Sequence, residues 1–136
     1  YLILMFQKEV VDRIIAEFNS KNYGRLSILS HWKLDIKKIC DVKPTSFSPK
    51  PKIDSSVLFF KPRKEIFKLE NPKNLEMVTR TFFMHRRKMI KKPYNQLFKG
   101  ETEVALRLKI NLNLRPQNLD FETYFKITNE YEKLKS

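Results

Sequence analysis

A cluster of three prolines constrains the fold of this chain more than any other sequence feature. All three lie within residues 43–52, and prolines at this density exclude a helix and a central strand. They also keep the backbone extended and stiff, so the intervening Phe47 can be presented at low entropic cost. The segment therefore predicts a stiff loop that displays one aromatic ring beside two lysines, Lys50 and Lys52.

The residues before this loop have the alternating pattern of an α/β sheet. The apolar run that opens the chain predicts a strand over residues 1–7, buried in a parallel sheet and apolar on both faces. Because the chain begins on such a strand without an initiator Met, we expect it to be part of a longer protein. The next residues predict a helix over 8–18 with one apolar face, formed by Val11, Ile14, Ile15 and Phe18. Further apolar patterns predict a short helix at 26–32 and strands at 34–42 and 55–60.

The residues after position 70 predict helices. Asn71 is suited to cap a helix whose first residue is Pro72, and we expect that helix to continue until Pro93 stops or kinks it. Arg86 falls near its apolar side, so it must be paired there or the helix must bend. The apolar face comprises Leu75, Val78, Phe82, Met89 and Ile90, and the opposite face carries Arg80, Arg87, Lys88 and Lys91.

Two more helices are expected in the last third of the chain. One covers residues 101–109, and the other begins at residues 119–120. Asp120 is suited to cap this last helix, and Leu119 is placed to pack on Tyr124. The boundary between an α/β part and a small helical part is predicted near residues 62–72.

The positive charge is concentrated in the middle of the chain. The formal net charge is +13, and residues 61–99 hold twelve Lys or Arg against three Glu. A local excess of this size indicates a polyanion-binding surface, with a solvated lysine-rich surface as the alternative. No apolar run approaches the roughly 20 residues that a membrane span needs, so no membrane association is expected.

The chain lacks the usual sequence patterns of catalytic and cofactor sites. It has two glycines and no glycine-rich strand-to-helix turn for a nucleotide cofactor. Its two histidines and one cysteine do not have the spacing of a zinc site, so no metal is expected. The single Cys40 also fits a reducing compartment. We therefore expect that this polypeptide does not complete a catalytic cycle by itself.

Four blocks of the sequence resemble the ribosomal RNA small-subunit adenine N6-dimethyltransferase family. Residues 47–55, Phe-Ser-Pro-Lys-Pro-Lys-Ile-Asp-Ser, are similar to the family's F-x-P-x-P-K-V-x-S signature. Residues 6–13 and 19–27 resemble two further blocks, and residues 82–88 resemble the start of the family's C-terminal helical domain. The blocks occur in the family's order over nearly the whole chain, which is identified as the C-terminal portion of a member.

The resemblance implies a fold and an activity. The fold is α/β: the C-terminal part of a Rossmann-like S-adenosylmethionine-dependent methyltransferase domain at residues 1–65, followed by a small all-α RNA-binding domain at residues 66–136. The activity is transfer of methyl groups from S-adenosylmethionine to N6 of adenines in small-subunit ribosomal RNA. The implied enzyme is a cytoplasmic monomer whose partners are ribosomal RNA and the small ribosomal subunit.

The resemblance also assigns roles to particular residues. Phe47 matches the family residue that stacks on the target adenine, and Lys50 and Lys52 belong to the same loop. Arg80, Arg87, Lys88 and Lys91 are the expected RNA contacts of the helical part. The family's cofactor-binding glycine motif and its Asn-Leu-Pro-Tyr motif would precede Tyr1, so the cofactor would be held outside this chain.

Three alternatives stay open at this point. A related family that methylates large-subunit RNA and confers macrolide resistance has a similar Phe-Pro-Lys-Pro loop, although the blocks at Gln7 and Tyr23 favour the small-subunit enzyme. The chain could instead serve as a non-enzymatic ribosomal-RNA-binding or ribosome-assembly factor. Independently of these, Phe47 could simply plug the end of the sheet, in which case its role would be structural.

Overall fold

The computed structural model of the chain describes residues 1–43 and 54–135. Its first part is a small sheet with two helices, and its second part is helical. The strands are β1 (Leu2–Gln7), β2 (Leu34–Val42) and β3 (Ser55–Pro62). The helices are α1 (Lys8–Ile15), α2 (Arg25–His31), α3 (Pro72–Phe83), α4 (Lys91–Phe98), α5 (Glu103–Arg107) and α6 (Phe121–Lys135), with a 3₁₀ turn at Pro116–Asn118 before α6.

The sheet has the order β1-β3-β2, and β3 is antiparallel to both of its neighbours. The first and second strands therefore run parallel to each other but are not hydrogen-bonded to each other. The prediction that β1 is a buried strand with a parallel neighbour is wrong for the described residues. β3 occupies the position beside β1, and the side chains of residues 1–5 are 40–85% exposed on this edge strand.

One face of the sheet is covered by the first helix. Val11 and Ile14 of α1 pack on Leu58 of β3, and all three are buried. This helix ends at Ile15, three residues earlier than predicted, because Ala16 adopts an extended conformation. Phe18 consequently leaves the apolar face and is 46% exposed, which corrects its predicted place in the core.

The predicted helix from Asn71 to Pro93 is interrupted. Its start is confirmed, because the Oδ1 of Asn71 accepts a hydrogen bond from the backbone N–H of Lys73 at 3.0 Å. It ends at Phe83, however, and α4 begins after a turn. The N–H of Ile90 bonds to the carbonyl of Leu114 at 2.8 Å. In a continuous helix it would instead bond to the carbonyl of Arg86.

The position of Pro93 gives a second reason for the interruption. In a continuous helix its ring would clash with the carbonyl of Met89, whereas the first turn of α4 accommodates it. The break separates two residues that were expected to share a buried face. Ile90 is buried as expected, but Met89 is 55% exposed.

A carboxylate from the last helix holds the start of α3. Glu132 accepts hydrogen bonds from the backbone N–H groups of Glu70 and Asn71, each at 3.0 Å, and from the side-chain amide of Asn74 at 2.8 Å. Burial raises the pKa of Glu132, but these three hydrogen bonds outweigh it and leave the pKa below the ordinary value. Glu132 thus joins the residues at the start of α3 to α6.

The larger apolar core contains residues from both parts of the chain. Tyr23, Ile28 and Trp32 are packed with the helical residues in one cluster, and the indole N–H of Trp32 donates to the carbonyl of Phe67 at 2.7 Å. Asp120 caps α6 as predicted, accepting from the N–H of Thr123 at 2.9 Å. In the described part of the chain, no helix has both the length and the apolar character needed to cross a membrane.

Candidate functional site

The carboxyl ends of β1 and β2 meet at one edge of the sheet, beside the amino end of β3. Gln7 at the end of β1 and Val42 at the end of β2 both pair with Ser55, the first residue of β3. In open α/β sheets, ligands bind outside the carboxyl ends of the strands. This edge, which we call the carboxyl edge, is therefore the candidate place for chemistry.

A polar network supports the carboxyl edge. The hydroxyl of Ser56 donates to Asp41 at 2.6 Å, and the ammonium of Lys38 lies 3.3 Å from the same carboxylate. The Ser56 hydrogen bond is the largest cause that lowers the pKa of Asp41, with Lys38 adding to it. On the other side, the N–H of Lys8 bonds to the carbonyl of Asp54 at 2.9 Å. Both ends of the proline-rich connection are thereby tied to the sheet.

The predicted catalytic residue belongs to this connection. Phe47, Lys50 and Lys52 all lie between Val42 and Ser55 in the sequence, and they fall outside the described residues. Their assigned roles therefore stay predictions. The structure places the residues that flank their segment, Val42 and Ser55, at the carboxyl edge.

The described residues do not fit S-adenosylmethionine. A Rossmann-like cofactor site needs a glycine-rich turn between a strand and a helix, but β1 continues directly from Gln7 into Lys8 of α1. Gly24 instead precedes α2, where an added Cβ would lie 3.5 Å from the guanidinium of Arg86. Gly100 has a φ of +79° and follows Lys99, the left-handed residue that caps the C-terminus of α4.

The helical part presents a continuous stretch without acidic residues. Residues 77–100 contain seven Lys or Arg and no Asp or Glu. We define the basic surface as the exposed Lys and Arg side chains of residues 77–92, which leaves out Lys99 near the end of the stretch. Among residues 1–43 and 54–135, none of them has a carboxylate within 4 Å. Its members are Arg80 of α3, Arg87 and Lys88 of the turn, and Lys91 and Lys92 of α4.

The predicted RNA-binding residues do not share one face of one helix. Because the helix is interrupted, the structure distributes them over α3, the turn and α4. Lys88 and Lys92 line one small cleft, and Lys91 and Lys92 line an adjoining groove. Arg80 and Arg87 are exposed but line neither. Sequence reasoning missed Lys92, which the absence of acidic residues from this stretch would have indicated.

Arg86 differs from its basic neighbours because its guanidinium is paired. It donates to the carbonyl of Tyr23 at 2.5 Å and to that of Lys21 at 2.8 Å, and it lies over the ring of Phe83. The side-chain amide of Asn118 donates to the Oδ1 of Asn19 at 2.9 Å, which also joins the loop between α1 and α2 to the helical part. The expectation that Arg86 is paired or that the helix bends is confirmed, since its guanidinium is paired.

The chain is similar to known ribosomal RNA methyltransferases. The model of the family described as ribosomal RNA adenine dimethylase matches residues 1–133. Ribosomal RNA small subunit methyltransferase A from Pelagibacter ubique is 65% identical over 98% of this chain and 51% of its own length. The protein of the same name from Prochlorococcus marinus is 39% identical over 98% of this chain and 50% of its length. The chain therefore spans about half the length of the curated relatives it matches.

Two crystal structures have similar folds. A dimethyladenosine transferase from Plasmodium falciparum has a TM-score of 0.80 and 27% identity, covering 96% of this chain and 57% of its own. The 23S rRNA methyltransferase ErmE has a TM-score of 0.61 and 17% identity, covering 98% and 54%, and at this identity it supports the fold alone. The small sheet and its helices are thus the C-terminal part of a methyltransferase fold. Together with the family match over nearly every residue, this shows that the chain belongs to the ribosomal RNA adenine dimethylase family.

Proposed function

We propose that this chain is the substrate-positioning portion of an S-adenosylmethionine-dependent enzyme that dimethylates N6 of adenines in small-subunit ribosomal RNA. The observation that carries the proposal is the family match over residues 1–133. The small-subunit relatives at 65% and 39% identity support this substrate over the large-subunit alternative. The cofactor supplies the methyl group and is bound outside these residues. Ribosomal RNA and the small subunit are the proposed partners of a cytoplasmic monomer.

We propose that the target base is positioned at the carboxyl edge. In this proposal Phe47 stacks on an adenine that has left the RNA helix, since base–aromatic stacking is a common way to hold an extruded base. Lys50 and Lys52 neutralise the neighbouring phosphates. The strand pairing of Val42 and Ser55 anchors both ends of the segment. Methyl transfer depends largely on such positioning, because holding the reactants in the correct geometry lowers the entropic part of the barrier.

The basic surface holds the RNA away from the chemistry. Its exposed cations lack carboxylate partners among the described residues, so their charge is available to phosphates. Arg86 takes no part in this contact because its guanidinium is bound to backbone carbonyls. The proposed division of work is therefore base positioning at the carboxyl edge and backbone binding on the helical part.

A chimeric enzyme tests the activity. The chain would replace the matching half of the Pelagibacter ubique relative, and the product would be incubated with small and large ribosomal subunits and radiolabelled S-adenosylmethionine. We expect dimethyladenine in the small-subunit RNA. Labelling confined to large-subunit RNA would support the macrolide-resistance alternative. A folded chimera that binds RNA without methylating it would support the non-enzymatic alternative.

A charge-removal variant tests the basic surface. Arg80, Arg87, Lys88 and Lys91 would be replaced together by Ala, and RNA affinity would be measured at several salt concentrations. Each phosphate contact that is lost should reduce the slope of log affinity against log salt by about 0.7–0.9. Replacement of Lys109, Lys126, Lys133 and Lys135, which lie outside the acid-free stretch, is the charge-matched control. An unchanged slope in the first variant would show that its cations are merely solvated.

A further inference from the structure

A groove beside the basic surface is lined by lysines, side-chain amides and one methionine. Its volume is about 590 Å³, within the roughly 300–1,000 Å³ of typical small-ligand sites. It adjoins the small cleft, with which it shares Met89, Lys92 and Gln96. We call it the α4 groove, and it is lined by Met89, Lys91, Lys92, Asn95, Gln96 and Asn113.

The walls of the α4 groove are held in place by the core. The N–H of Ile90 bonds to the carbonyl of Leu114 at 2.8 Å, which joins the turn before α4 to the loop that carries Asn113. The buried hydroxyl of Tyr94 donates to the carbonyl of Glu101 at 2.8 Å and accepts from the N–H of Ala105 at 2.9 Å. The backbone that carries the lining side chains is therefore held in place by the core, which reduces the entropic cost of binding.

Helical periodicity explains why its polar groups converge. Tyr94 anchors α4 in the core, so residues one and two positions away point outward at about 100° per residue. Lys92, Asn95 and Gln96 consequently share the outer face of α4, and Lys91 adjoins them as the first residue of the helix. All four are exposed. None of their side chains has a hydrogen-bond or ion-pair partner in the described ranges, 1–43 and 54–135, so their donors and acceptors are available.

The combination matches the chemistry of a single nucleotide. An exposed thioether at Met89 offers a polarisable contact for the face of a base. The amides of Asn95 and Asn113 can both donate and accept hydrogen bonds along a base edge, and Lys91 and Lys92 can meet the flanking phosphates. We propose that the α4 groove binds one unpaired nucleotide of the RNA, separate from the adenine that is methylated. This inference rests on the proposed RNA-binding function of the basic surface.

A purely electrostatic contact would not need this arrangement. Phosphate contacts position a nucleic acid without distinguishing its bases, and lysines alone would suffice for them. In paired RNA the bases are largely inaccessible to side chains, whereas bulged and looped bases can be stacked on and hydrogen-bonded. Amides and an exposed methionine beside the lysines therefore favour an unpaired base over a continuous helix.

The test compares two RNA duplexes that differ by one bulged nucleotide. Fluorescence anisotropy would measure the affinity of the whole chain for each, with all four bases tried at the bulge. We expect the preferred bulged duplex to bind at least about fivefold more tightly, since one good base contact is worth on the order of fivefold or more. The variant Met89→Ala/Asn95→Ala/Asn113→Ala should lose this preference. Its salt slope should stay unchanged, because no charge has been removed.

The control is Leu106→Ala, which removes an exposed apolar side chain outside the groove. This variant should keep the full preference, and thermal melting should show that both variants are folded. Equal affinity of the unmodified chain for both duplexes would overturn the inference and leave the proposed function standing. A preference that survives in the triple variant would also overturn it. If neither duplex binds at low salt, the proposed function fails together with the inference.

Discussion

The adjacent arginines Arg86 and Arg87 provide a sharp test, because the structure gives them opposite roles. The guanidinium of Arg86 is bound to the carbonyls of Tyr23 and Lys21, whereas the side chain of Arg87 is exposed on the basic surface. We expect Arg86→Ala to reduce the free energy of unfolding with little effect on RNA binding. Arg87→Ala should weaken RNA binding with little effect on the free energy of unfolding.

The size of the Arg86 effect follows from its contacts. A hydrogen bond to a charged group contributes about 1.5–3 kcal/mol, and Arg86 makes two that are well within bonding distance. Since part of the guanidinium is in contact with solvent, we expect Arg86→Ala to cost about 2–4 kcal/mol. A single ammonium cannot reproduce the planar fork of donors, so Arg86→Lys should recover only part of this loss. Arg87→Ala should change the free energy of unfolding by no more than about 0.5 kcal/mol.

Two measurements on the same variants check the assignment. Urea denaturation would give the free energies of unfolding, and RNA titrations at several salt concentrations would give the slopes. We expect a slope reduced by about 0.7–0.9 for Arg87→Ala and unchanged for Arg86→Ala. The reasoning would be refuted if Arg86→Ala left stability within about 0.5 kcal/mol of the unmodified chain and reduced the slope instead.

Two further substitutions have defined outcomes. In the chimeric enzyme, Phe47→Ala should lower kcat/KM by roughly 5- to 150-fold, equivalent to about 1–3 kcal/mol of stacking, and Phe47→Trp should retain most activity. A loss of about 3–5 kcal/mol of stability in Phe47→Ala would instead identify a buried plug. Glu132→Gln should lower the free energy of unfolding at pH 7 by about 1–3 kcal/mol. Because the pKa of Glu132 lies below its ordinary 4.5, this contribution is present above pH 4.5 and should disappear as falling pH protonates the carboxylate. Urea denaturation at several pH values would measure it. The exposed control Glu122→Gln should change the free energy of unfolding at pH 7 by no more than about 0.5 kcal/mol.

Much of the candidate site could be predicted, but only as groups of residues. The proline-rich segment, the excess of cations and the family blocks are all visible in the sequence. The separate roles of Arg86 and Arg87 are not, because the partners of Arg86 are backbone carbonyls more than 60 residues away. The α4 groove was missed for the same reason, since Asn113 reaches it through the contact between Ile90 and Leu114.

The sequence by itself determined the features that depend on neighbouring residues. The cap of Asn71, the start of α6 at Asp120 and the apolar face of Val11 and Ile14 all arise from interactions within one or two helical turns. Tertiary structure alone decided the position of β1 and the interruption between α3 and α4. The neighbour of β1 is a strand about 50 residues later, and the interruption involves a hydrogen bond from Ile90 to a distant loop. Local periodicity carries no information about such contacts, since their partners are brought together only when the core packs.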